Sequence, residues 1–60
     1  MSDFEMILSD EIAELIGIKE ATIKLWARDG KIPCYRFGSL YKFDRKEIMK
    51  WIDAKRVLSN

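Results

Sequence analysis

The sequence predicts a mainly α domain with a small β-hairpin, in the order helix, helix, two-stranded hairpin, helix. Three observations predict it. Apolar residues at helical spacing break off at Gly17 and resume beyond it. From Cys34 to Phe43 the period changes to alternation, with Tyr35, Phe37, Tyr41 and Phe43 separated by Arg36 and Lys42. Asp44-Arg45-Lys46-Glu47 then forms an acid-first capping pattern that reopens the helical period.

Ile12, Leu15 and Ile16 mark the first helix, which Ser9 or Asp10 can cap, with Asp10 and Glu11 placed well for the positive end of its dipole. Gly17 can take the left-handed conformation that ends a helix without a Cβ penalty. Ala13 is small where two helices must approach closely. An alanine, a glycine four residues later and β-branched Ile23 six beyond that make the helix-turn-helix spacing. The second helix is expected from about Lys19 to Asp29, stopping at Gly30, with Pro33 preventing its resumption.

For the hairpin, two registers compete. A two-residue Gly38-Ser39 loop pairs Arg36 with Tyr41 and puts charge on the aromatic face. A three-residue Gly38-Ser39-Leu40 loop pairs Phe37 with Tyr41, Tyr35 with Phe43 and Arg36 with Lys42, which sorts four aromatics to one face and both bases to the other. The second register is the expectation. In the third helix Asp44 is the N-cap, Glu47 stands at the third helical position, Ile48, Trp51 and Ile52 form the apolar stripe, and the helix continues to about Lys55 before the last few residues fray.

Sixty residues form one domain, 1–60, near the lower size limit for folding without staples. Cys34 is the only cysteine and histidine is absent, which excludes an internal disulfide and argues against zinc. No metal or other cofactor is expected, so packing alone must supply the core, and 48% apolar residues make that feasible. No apolar run approaches the roughly 18 residues of a membrane span, and the N-terminus is acidic where a signal peptide is basic. A reducing cytoplasmic location, on the nucleoid, is expected. Enzyme readings lack parts: no histidine base, no glycine-rich phosphate loop and no partnered cysteine.

Net charge is only +1, but it is unevenly spread. Residues 1–20 hold six acids and one base, for −5, whereas residues 21–60 hold ten bases and four acids, for +6. Such a dipole can turn one face toward phosphates even when the total is near zero.

The residues Gly17-Ile18, Thr22-Ile23, Trp26, Gly30-Lys31-Ile32-Pro33, Tyr35-Arg36-Phe37-Gly38, Phe43 and Trp51-Ile52 resemble the excisionase-type helix-turn-helix family, related to the DNA-binding heads of MerR-type regulators. The resemblance covers roughly Ile7 to Ile52. It implies a small winged helix-turn-helix domain whose second helix enters the major groove and whose hairpin wing touches flanking backbone or minor groove. It also implies a role as an excision factor, a small transcriptional regulator or a recombinase targeting domain. Two positions depart from the pattern. Lys19 stands where the family usually has Ser or Thr, so the recognition helix lacks its cap. Leu8 replaces the Thr that often precedes the first helix, which shifts that cap to Ser9 or Asp10.

At about 100° per residue, Ile23, Trp26 and Ala27 share the core side of the second helix, while Glu20, Ala21, Lys24 and Arg28, with Leu25 at the edge, form the candidate base-reading face. Lys24 and Arg28 suit guanine O6 and N7, and Arg28 equally suits a phosphate. Glu20 either accepts from cytosine N4 or only favours the helix start and pairs with Lys24. Leu25 either meets a thymine methyl or packs on a neighbouring protein or the hairpin. Lys19 and Lys31 suit phosphates at the two helix ends, and Arg36, Ser39 and Lys42 suit the wing contact. The four hairpin aromatics and both tryptophans read as core rather than as a stacking platform, and Cys34 as a small buried hydrophobe. The expected partner is double-stranded DNA, with self-association on adjacent sites or a recombinase as a second partner. The rival is a protein-interaction module on the same fold that has lost DNA affinity.

Overall fold

Strand β1 (Met6–Leu8), helices α1 (Ser9–Ile16) and α2 (Glu20–Arg28), strands β2 (Tyr35–Phe37) and β3 (Leu40–Asp44), and helix α3 (Arg45–Ala54) follow one another in a computed structural model that describes residues 5–57. The acidic stretch expected at 1–4 and the fraying expected at 58–60 lie outside the described residues. The helix-helix-hairpin-helix order is present, with one strand added at its front.

That strand, β1, is the element sequence reasoning missed. It pairs antiparallel with β3, Ile7 opposite Phe43, in a three-stranded sheet of order β1-β3-β2. Three residues leading straight into a helix are too few to show a period. Its end is tied to α3, where the Arg45 N–H donates to the Glu5 carbonyl (2.9 Å) and the Arg45 guanidinium lies 3.4 Å from the Glu5 carboxylate. The core is built around β1 and β3: Ile7, Ile12, Ile23, Ala27, Ile32, Phe43 and Ile48 are buried, with Ala13 packed against them.

Gly17 ends α1 with φ +69°, and the Ile18 N–H reaches back to the Ala13 carbonyl (3.0 Å). The helix then reverses within 17–19 and α2 packs across α1. At the other end of α2, Gly30 N–H to Ala27 (3.2 Å) and Lys31 N–H to Trp26 (2.8 Å) close it in a Schellman motif. Asp44 caps α3 as expected, its carboxylate accepting from the Lys46 N–H (3.2 Å).

Two expectations are corrected. Ser9 and Asp10 do not cap α1. Leu8 holds the N-cap position without a side-chain cap bond, and its N–H donates to the Glu11 carboxylate at 3.5 Å. Ser9 is drawn inside instead, because its hydroxyl has a better partner on α2.

The hairpin takes the two-residue loop. Tyr35 faces Lys42, Arg36 faces Tyr41 and Phe37 faces Leu40 around Gly38-Ser39. Gly38 has φ +65° and Ser39 does not have a positive φ, the pattern of a type II′ turn, whose twist matches that of the strands. The four aromatics therefore divide: Tyr41 and Phe43 face the helices with Ile7, while Tyr35 and Phe37 lie on the outer face with Leu8, Leu40 and Lys42. The pressure to bury all four is absent because β2 is an edge strand outboard of the core, with all three of its residues exposed. Gly38→Ala is expected to cost about 1–2 kcal/mol through the left-handed backbone alone, since a Cβ there meets nothing within 4 Å. Urea melts check this.

Candidate nucleic-acid interface

Helix α2 is amphipathic in the sense its sequence demands. Ile23 and Ala27 are buried against α1 and the sheet, and Trp26 is half-buried. Glu20, Ala21, Lys24, Leu25 and Arg28 are all exposed on the opposite side. The Lys24 side chain is 57% exposed, with its ammonium 3.6 Å from the Glu20 carboxylate one turn earlier. An exposed pair of this spacing is worth only a few tenths of a kcal/mol, so Lys24 is free to exchange Glu20 for another acceptor. Arg28 leans toward its neighbour Asp29, with Nε 3.3 Å from the carboxylate, and remains well exposed.

Glu20 is held from two directions. Besides Lys24, it accepts a 2.9 Å hydrogen bond from the Ser9 hydroxyl at the start of α1. Ser9 is the only polar residue in the buried set among the described residues, and this bond satisfies it. The series Ser9–Glu20–Lys24 thus links the first turns of the two helices. The Ser9 role escaped sequence reasoning, because a serine at a helix start reads as a cap.

Lys19 occupies the N-cap of α2 without a side-chain cap bond, in keeping with the missing Ser or Thr, and is exposed. Lys31 does not join the Lys24 side. It lines a cleft with Trp26 and Trp51 on the far side of α2, and its carbonyl accepts from the Trp51 indole N–H (3.1 Å). The wing residues are also redistributed. Arg36 and Ser39 are exposed, with the Arg36 Nε donating to the Gly38 carbonyl (2.8 Å) and its guanidinium 5.9 Å from the Tyr41 ring centre. Lys42, half-buried, sits on the other face with its ammonium 5.9 Å from the Phe37 ring centre. The shared solvent face expected for Arg36 and Lys42 is therefore corrected. The two-residue turn sends them to opposite sides of the ribbon.

The tryptophans are half-buried rather than core, their rings 6.0 Å apart and tilted by 56°. Cys34 is half-buried too. Its thiol donates to the Ala27 carbonyl (3.8 Å), and burial pushes its pKa above the ordinary thiol value, which suits packing rather than nucleophilic chemistry. Among the described residues no cluster of three or more His, Cys, Asp or Glu is arranged to hold a metal, and no helix is long and apolar enough to cross a membrane.

A family model described as "Helix-turn-helix domain" matches residues 9–56. The chain is also 28% identical, over 57 residues, to the transcriptional repressor DcmR of Methylorubrum extorquens, a match covering 92% of this chain and 22% of the repressor. The chain thus spans about a fifth of the length of that relative. No solved structure matches it. The match from the first turn of α1 to beyond the end of α3, on a fold with the geometry described above, shows that the chain belongs to the helix-turn-helix domain family.

Proposed function

We propose that this domain binds double-stranded DNA with sequence preference, laying the Ala21-Lys24-Leu25-Arg28 side of α2 in the major groove and the β2–β3 hairpin against the flanking backbone or minor groove. The observation that carries the reading is the exposure of that α2 side while Ile23 and Ala27 are buried. Lys24 and Arg28 present donors for guanine edges or phosphates, Leu25 an apolar surface for a thymine methyl, and Lys19 a charge for the backbone. Glu20, already engaged by Ser9 and Lys24, serves better as a positioning group for Lys24 than as a reader of cytosine. Arg36 and Ser39 make the wing contact from one face, with Lys42 behind them. Lys31 drops to a peripheral charge.

The partial likeness to a transcriptional repressor supports a regulator that works by binding rather than catalysis, in the cytoplasm on the nucleoid. An excision accessory role is the finer alternative and rests on the resemblance of sequence motifs. One module of this size offers an interface of roughly 600–1,000 Å², so tight binding should require several copies on adjacent sites or a recombinase partner. A lone protomer holding a half-site at nanomolar affinity in physiological salt would contradict that.

Anisotropy titration on a random duplex at two salt concentrations tests the central reading. Affinity should fall steeply, with a log–log slope of about −3 to −5 for four or five phosphate neutralisations. Absence of binding at low salt would instead favour a protein-interaction module, a reading that exposed Leu8, Phe37 and Leu40 on the outer sheet face would then support. Arg36→Ala is expected to weaken binding to all duplexes alike. A changed base preference would show that the wing reads bases. Measured bending of a preferred site separates an excision factor, which should bend it, from a regulator that need not.

A further inference from the structure

The side of α2 turned away from Lys24 is not sealed. Trp26, with Ile16 and Ile18 at the end of α1 and Trp51 and Ile52 on α3, lines an open cleft of about 450 Å³. Among the described residues, Lys31 and Lys55 are the only charged ones lining it, and neither takes part in a described ion pair. The Lys55 ammonium lies 5.2 Å from the Trp51 ring centre. The Trp51 indole N–H is used internally by the Lys31 carbonyl, so the cleft offers an occupant mainly apolar contact inside and positive charge at the rim.

We propose that this cleft docks an amphipathic helix of a partner protein, one that sets large apolar side chains between Trp26 and Trp51 and carries carboxylates that meet Lys31 and Lys55. Three features select that occupant. The volume suits two or three side chains of a helix laid in a groove. The charge calls for acids on the occupant, since no carboxylate among the described residues lines the cleft. A second copy docked symmetrically through the same cleft would set lysines against lysines, which disfavours it. Trp26 and Lys24 are two positions apart on α2, about 200° around the helix, so the cleft stays open when the Lys24 side is occupied. The inference stands independently of the DNA reading. If both hold, the domain carries its partner to DNA.

Both tryptophans of the chain line the cleft, so intrinsic fluorescence reports its occupancy without a label. The probe is a tryptophan-free helical peptide with Leu at i, i+4 and i+7 and Glu flanking them, titrated into the full chain. A saturable blue shift is expected. Lys55→Glu should weaken binding by about tenfold or more, while a Glu→Lys version of the peptide should not bind. Ile52→Lys, checked for unchanged circular dichroism, should abolish the shift by placing charge in the cleft. A peptide that binds Lys55→Glu and the unaltered chain equally, or the absence of any saturable change, overturns the proposal. So does an emission shift that depends on protein concentration without peptide, which would make the occupant a second copy. Anisotropy of a labelled duplex, with and without excess peptide, reads DNA binding separately.

Discussion

Phe43→Ala is expected to unfold the domain at room temperature. Phe43 is fully buried, pairs with Ile7 across the β1–β3 ladder and belongs to the cluster that joins β1, β3 and the three helices. Removing a buried Phe side chain costs about 3–5 kcal/mol, through lost transfer energy and the cavity left behind. A core in a domain this small rarely supplies more than about 3–5 kcal/mol in total, and no disulfide adds to it. Circular dichroism of the variant should show loss of cooperative thermal unfolding. Phe43→Leu, which keeps most of the volume, should leave a folded domain with a lowered Tm. A Phe43→Ala protein that still melts cooperatively near the parent temperature would mean that stability resides outside this cluster.

Lys24→Ala should weaken binding to a preferred duplex by about 1–3 kcal/mol and flatten the preference at one base position, if Lys24 donates to a guanine. The expectation rests on its exposure and on the weakness of its tie to Glu20. Stability should change little, because an exposed pair of this kind contributes only tenths of a kcal/mol. Affinities for a selected site and for random duplex, measured side by side, decide the matter. Equal losses on both would demote Lys24 to a phosphate contact, and no loss on either would remove α2 from the interface. Ser9→Ala sharpens the test: if Glu20 acts by holding Lys24, loosening Glu20 should move specificity in the same direction by a smaller amount.

The helices were readable from the chain because their signals are redundant. Gly17 both ends the apolar stripe of α1 and supplies the left-handed turn, and Asp44 both ends the alternation and caps α3. The exposed side of α2 was readable for the same reason, since Ile23 and Ala27 define its opposite. Elsewhere the local cues compete. The glycine-first order of Gly38-Ser39 favours the two-residue turn, whereas sorting the aromatics to one face demands the longer loop. That demand assumes both strands cover the core, and only β3 does. Ser9 and β1 depend on neighbours distant in the chain, which no local pattern exposes: Glu20 for Ser9 and Phe43 for Ile7.

The β1–β3 pairing also bears on how the chain reaches this state during synthesis. Met6, Ile7 and Leu8 leave the ribosome well before their ladder partners, Asp44, Phe43 and Lys42. Until then Ile7 lacks its ladder partner, and the inner side of α1 has only α2 to pack on. Translation must therefore pass Phe43 before the fold can lock, and a pause that holds Phe43 in the exit tunnel would leave α1 and α2 loosely associated and open to proteases.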